Sequence, residues 1–268
     1  MKKVRIMNTL VSRYSTRSII YSNSNSNTYN NTYNNDNNNN NNNDLRNKIL
    51  KYSLLYVKDL GWTKDALVKG MQDALIEQNS NSSNNDSNSS SNNKETYSSI
   101  AHAIVSRGPT EMIELFIENK RIHVLDIMKN NNDNNDNNNN NNDDNLIYIN
   151  LNKALNAHID YLGPYIHTWS DALALMAEPR QIPNSLTIMN NVLVDLIEYS
   201  NIKSKRLEWY SERLLLLSVY SSVELYMITD NSENFIETRS FLERLLNTYI
   251  DLRKSSNYIS LFNRMIFK

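Results

Sequence analysis

Residues 206–229 read RLEWYSERLLLLSVYSSVELYMIT, and this stretch decides the fold class. Leu214, Leu215, Leu216, Leu217, Val219, Tyr220, Val223, Leu225, Tyr226 and Met227 leave little of a helix circumference polar. An ordinary surface helix shows one apolar stripe, so a segment this apolar needs cover from other helices or from lipid. Glu212, Arg213 and Glu224 interrupt the run, and a charge at mid-bilayer costs about 3 kcal/mol on insertion scales. The segment is therefore read as the central helix of a bundle and not as a membrane span. Asp230-Asn231-Ser232 supplies cap residues after it. The next helix, Glu233 to Arg253, places Phe235, Thr238, Leu242, Leu245, Tyr249 and Leu252 on one face.

Working back toward the N-terminus, Pro179 and Pro183 bracket a tight turn, and Pro183 suits the first turn of a helix over Asn184 to Ser200. In that helix Leu186, Met189, Val192, Leu193 and Leu196 are expected toward the core. Ile147 to Glu178 reads as helix with a break at Gly163-Pro164. Tyr97 to Lys129 reads as a helical pair broken near Gly108-Pro109. Asp44 to Gln78 reads as two helices, Gly61 ending the first and Thr63 capping the second, a pairing like the opening of a helix-turn-helix.

Between these segments, Ser22 to Asn43, Asn79 to Asn93 and Asn130 to Asn142 are tracts of Asn, Ser and Asp. With almost nothing apolar to bury, such tracts cannot offset the entropy of ordering, so they are expected as disordered linkers. The expected layout is a leader and linker over 1–43, a helical domain over 44–254 with insertions at about 79–96 and 130–145, and a separate segment at 255–268.

The chain has 268 residues, a formal net charge of −1, no cysteine, 4 glycines and 4 prolines. Near-neutral charge gives no global case for nucleic acid. Absent cysteine removes disulfides and thiolate chemistry, and scarce glycine argues against phosphate-binding α/β folds. The four histidines, His102, His123, His158 and His167, fall in neither a Glu-x-x-His nor a His-Glu-x-x-His spacing. No catalytic site, metal site or cofactor is expected.

Met1 to Tyr21 carries Lys2, Lys3, Arg5, Arg13 and Arg17, and no acidic residue precedes Asp36. That composition fits a mitochondrial transit peptide or a basic disordered tail; the first reading gives the matrix as the address. Ser255 to Lys268 has Tyr258, Leu261, Phe262, Met265 and Ile266 at helical spacing beside Arg253, Lys254, Arg264 and Lys268. Such a segment lies in an anionic membrane interface or folds back on the core.

Tyr165, Trp169, Ala172, Leu173, Pro179, Ile182-Pro183, Leu186, Trp209-Tyr210, Arg213, Tyr220, Glu224-Leu225, Asp230, Ser232, Phe235, Thr238, Phe241-Leu242 and Arg244, with Gly61-Trp62-Thr63 and Ala66, carry a resemblance. In order and spacing they resemble the mitochondrial coenzyme Q (ubiquinone) biosynthesis lipid-binding protein family, a relative of TetR-type repressors. The resemblance implies an all-α, TetR-like fold with a degenerate helix-turn-helix part, a homodimer, and a hydrophobic pocket for isoprenoid quinone or phospholipid. It implies a partner, the di-iron demethoxyubiquinone hydroxylase of the coenzyme Q synthesis complex, docked on Leu196, Tyr199, Trp209 and Tyr210, and peripheral contact with the matrix side of the inner membrane. Two positions depart from the family: Ile197 stands where relatives have tryptophan, and an acidic connection becomes Asn201 to Arg206 with Lys203, Lys205 and Arg206.

Trp169, Leu173, Met176, Leu186, Met189, Leu193, Leu217 and Tyr220 are the candidate pocket residues; the same residues could simply pack the core. A ligand-responsive DNA-binding regulator is the rival function on the same fold. It needs a recognition helix where Asn79 to Asn93 intrudes, a region with little Lys or Arg for phosphate.

Overall fold

The computed structural model describes residues 36–81, 103–132, 143–202 and 207–266. These form α1 (Asp36–Leu60), α2 (Lys64–Asn81), α3 (Pro109–Asn132), α4 (Asp143–Leu162), α5 (Ile166–Met176), α6 (Ile182–Tyr199), α7 (Leu207–Thr229) and α8 (Ile236–Ile266), with 3₁₀ turns at Gly163–Tyr165 and Glu233–Phe235. The described residues contain no strand, so the fold is all-α. Met1 to Tyr21, and with it the transit-peptide reading, lies outside the described residues.

The helix boundaries follow local chemistry. Gly61 takes φ +67° and donates its N–H to the Val57 carbonyl at 2.9 Å, closing α1. Thr63 Oγ1 accepts from the Ala66 N–H at 3.4 Å at the start of α2. Gly108 takes φ +63° and Pro109 opens α3, where a missing N–H costs nothing. Gly163-Pro164 converts the long helical reading into α4, a 3₁₀ turn and α5. The asparagine tracts are not wholly outside the helices: α1 begins at Asp36, and α2 and α3 run on to Asn81 and Asn132.

α1 pairs with α2 and also touches α3; α3 packs on α4, α5 and α6; α4 reaches α6, α7 and α8; α7 lies against α5, α6 and α8. The α1/α2 crossing is close because Gly70 has no side chain. A Cβ there would stand 2.1 Å from Ser53 Oγ and 2.4 Å from the Ser53 backbone nitrogen. At the centre, Trp62, Phe116, Tyr161, Tyr165 and Trp169 form an aromatic cluster of edge-on and tilted pairs with ring centroids 4.8–5.9 Å apart.

Three expectations change here. α7 buries Leu216, Val219, Tyr220, Val223 and Met227, but Leu214 is 67% and Leu225 60% exposed, so it has an uncovered stripe and is not enclosed all round. Hydrophobicity alone could not tell which side meets a neighbour. On α8 the buried row is Thr238, Leu242, Leu246, Tyr249 and Ile250, while Leu252 turns outward. Its start is also displaced, because Asn234 and Phe235 take φ +53° and +57° and break the helix before Ile236. Such a backbone is costly for a bulky residue; here the Phe235 ring seats on Gly163, where a Cβ would meet it at 2.9 Å. Finally, α8 runs on to Ile266, so the backbone of the C-terminal segment continues the bundle helix.

Candidate functional site

Two helices face each other with the same spacing. α4 presents Leu155, His158, Ile159 and Leu162, and α7 presents Tyr220, Val223, Glu224 and Met227, each at i, i+3, i+4 and i+7. Together they line a small recess with a cavity volume of about 10 Å³, room for about one water molecule. Its walls are apolar except for His158, Tyr220 and Glu224.

α3 brings a charge to this place. Lys120 is fully buried, and its Nζ donates to Glu224 Oε1 at 2.8 Å and to the Tyr220 hydroxyl at 2.9 Å. Tyr220 in turn donates to Glu224 Oε1 at 2.5 Å. The ammonium also lies over the Trp169 ring at 5.3 Å and the Tyr220 ring at 5.4 Å. A lone buried charge would be prohibitive, and these contacts compensate it. Burial, then the Glu224 carboxylate, pushes the Tyr220 phenol well above its ordinary range, so it remains a donor. His158 packs edge-on to Tyr220, ring centroids 5.6 Å apart. Burial, followed by the charges of Lys120, His123 and Arg121, holds its imidazole well below the usual range, so it is neutral at pH 7. Its Nδ1 is buried with no hydrogen-bond partner.

A second polar cluster ties α4, α7 and α8. Glu212 accepts from the Tyr249 hydroxyl and pairs with Arg253 at 3.2 Å, and Arg253 reaches Asp144 at 2.7 Å. Arg253 is therefore engaged by two carboxylates and is not a free cation for a membrane surface.

The sequence-based site residues disperse. Trp169 sits in the aromatic cluster; Leu193 is buried; Leu173, Met176, Met189 and Leu217 are half-buried against the core. Tyr220 lines the recess. Leu186 is 65% exposed on α6, which corrects its assignment to an interior pocket: the residues that α6 buries, Val192, Leu193 and Leu196, all lie in its second half, and Leu186 lies in the first. Of the docking residues, Tyr210 is 65% exposed and Tyr199 half-buried, but Leu196 is 1% exposed. A side chain packed within the core offers a partner no surface, which corrects Leu196. Trp209 lies on α7 with its side chain outside the described residues, and the same holds for Tyr258, Leu261, Phe262, Met265 and Ile266 on α8. Sequence reasoning missed Lys120 and the pairing role of Glu224. A signal existed in the Tyr220/Glu224 spacing of four inside an apolar run.

Among the described residues, no group of His, Asp and Glu could hold a metal ion, and no helix is long and apolar enough to cross a membrane. Fold and site thus define an all-helical bundle with a polar-ended recess between two of its helices. The family model COQ9 matches residues 182–253. The chain is 24% identical over 213 residues to the ubiquinone biosynthesis protein COQ9-B, mitochondrial, of Xenopus laevis, covering 80% of this chain and 65% of that one. It is 24% identical to the Homo sapiens ubiquinone biosynthesis protein COQ9, mitochondrial, covering 80% and 60%. To the probable ubiquinone biosynthesis protein coq9, mitochondrial, of Dictyostelium discoideum it is 28% identical, covering 79% and 62%. The chain is thus similar to COQ9 proteins along about 80% of its length, and the family model falls on its C-terminal helices. It spans less than two thirds of the length of these relatives.

Proposed function

We propose that this chain is a mitochondrial, non-enzymatic accessory protein of ubiquinone biosynthesis. It binds an isoprenoid quinone intermediate at the matrix side of the inner membrane and presents it to the di-iron demethoxyubiquinone hydroxylase. The observation that carries the reading is similarity along 80% of the chain to proteins named for ubiquinone biosynthesis and for mitochondria. These names do not favour the DNA-binding regulator.

The physical need for such a protein is simple. A polyprenyl tail stays in hydrocarbon, so bringing its ring to an aqueous-side enzyme requires an apolar surface that replaces the lipid. Apolar walls between α4 and α7 supply part of that surface. The exposed Tyr210, with its neighbour Trp209, is the docking patch for the hydroxylase, and the far end of α8 carries the membrane contact. The protein acts as a homodimer.

Mass spectrometry of lipid extracted from purified protein tests the reading. Prenylated quinones or their precursors are expected; an extract no different from that of an unrelated helical protein refutes it. In cells lacking the protein, demethoxyubiquinone should accumulate while ubiquinone falls.

A further inference from the structure

Two side chains that could each carry a positive charge are buried beside a single carboxylate where α3, α4 and α7 meet. Glu224 Oε1 already accepts from Lys120 at 2.8 Å and from the Tyr220 hydroxyl at 2.5 Å. His158 lies edge-on to the Tyr220 ring, is buried, and finds no hydrogen-bond partner for its Nδ1 among the described residues. The space shared by His158, Tyr220 and Glu224 holds about one water molecule, too little to hydrate a new charge as bulk solvent would. We propose that His158 makes this junction an acid-sensitive latch. With a neutral imidazole the three helices close over it; a proton there adds a second buried cation beside a carboxylate that Lys120 has already taken, and the closed junction cannot keep it.

The charges on every element packed against α4 bear on that proton. α3 contributes Lys120, Arg121 and His123, and all three weigh against a further cation. α7 contributes Tyr220 and the engaged Glu224. On α6, Asp195 is held at both oxygens by Arg121, and α8 meets α4 through Arg239 on Asp160 and Arg253 on Asp144. Burial, ahead of those cations, holds the imidazole well below its ordinary 6.5. Because the protonated form is the charged one and its folded value is the lower, the unfolded chain takes up the proton first. The latch is therefore at full strength above about pH 6.5, and below it weakens by up to about tenfold in the unfolding constant per pH unit.

Urea unfolding of the full chain and of His158→Gln at pH 7, 6 and 5 tests the latch, since glutamine is polar and does not titrate. From pH 7 to pH 5 the unfolding constant of the parent is expected to rise about 20-fold more than that of the variant; parallel curves overturn the proposal. Imidazole ¹⁵N NMR reads the unaltered chain. His158 should stay neutral for as long as the protein is folded, and a folded protein whose His158 is protonated above about pH 5.5 overturns it equally. Lys120→Met separates the rival cation from plain burial: with Glu224 released, His158 should take up its proton at a higher pH than in the parent, and an unchanged titration refutes the shared carboxylate. None of these readings involves a lipid or a partner, so they stand or fall apart from the presenter reading.

Discussion

Replacing Lys120 by methionine removes one charge from a cluster that has no solvent to fall back on. Lys120 is 0% exposed and Glu224 8%, and the two lie 2.8 Å apart. At an effective dielectric of about 20, their attraction is about 6 kcal/mol, against which stands the cost of removing both ions from water. Deleting Lys120 alone loses the attraction but keeps Glu224 buried, with the Tyr220 hydroxyl as the remaining donor among the described residues. Breaking one side of such a pair costs about 3–5 kcal/mol. Glu224→Leu alone should cost a similar amount, because it strands the lysine. In the double variant Lys120→Met/Glu224→Leu no charge is stranded, so it should recover most of the loss and come within about 1–2 kcal/mol of the parent. Urea unfolding followed by circular dichroism measures all four corners of the cycle. A Lys120→Met cost below about 1 kcal/mol, or additive single and double costs, would refute a buried, coupled pair.

Other outcomes follow from geometry already described. Gly70→Ala gains about 1 kcal/mol of helix propensity but drives a methyl into the Ser53 backbone, for a net loss of about 1–3 kcal/mol in the unfolding free energy measured with urea; net stabilisation would disprove the close α1/α2 crossing. Phe116→Ala opens a hole among Trp62, Tyr161, Tyr165 and Trp169 and should cost about 3–5 kcal/mol in thermal unfolding. Burial alone would raise the Asp230 carboxyl, but hydrogen bonds from Ser232 and Thr238 bring it down from 3.8 to about 2. Because the folded value is the lower, its stabilisation is complete above about pH 4 and is lost as pH falls toward 2. The stability advantage over Asp230→Asn should shrink across that window, and a pH-independent difference would contradict it.

The helix ends were legible because they rest on backbone chemistry that residue type announces. Glycines with positive φ at 61 and 108 stop or turn the chain, and prolines at 109, 164 and 183 mark first turns. The buried faces were legible as stripes, but not as to which neighbour covers them. Leu186, Leu214 and Leu252 obey the periodicity and still face outward, because no described helix lies over them. Leu196 failed in the opposite sense, since a docking residue carried over from a resemblance proved to be core. The Lys120–Glu224 pair was hidden by distance: its members lie 104 positions apart, and on its own helix Lys120 looks like any solvated lysine. His158 gave no sequence signal at all, as its isolation depends on burial from α3, α4 and α7 together.

The seat of Phe235 on Gly163 ties together two elbows of the chain, the one between α4 and α5 and the one between α7 and α8. These are the joints about which α4 and α7 would have to hinge apart for their facing surfaces to separate. With the joints riveted to each other, splaying the pair means dislodging an aromatic ring as well as unpacking side chains. The mouth between them is therefore enlarged most cheaply by rotating its own leucines and its methionine, one rotamer at a time, while the scaffold keeps its shape.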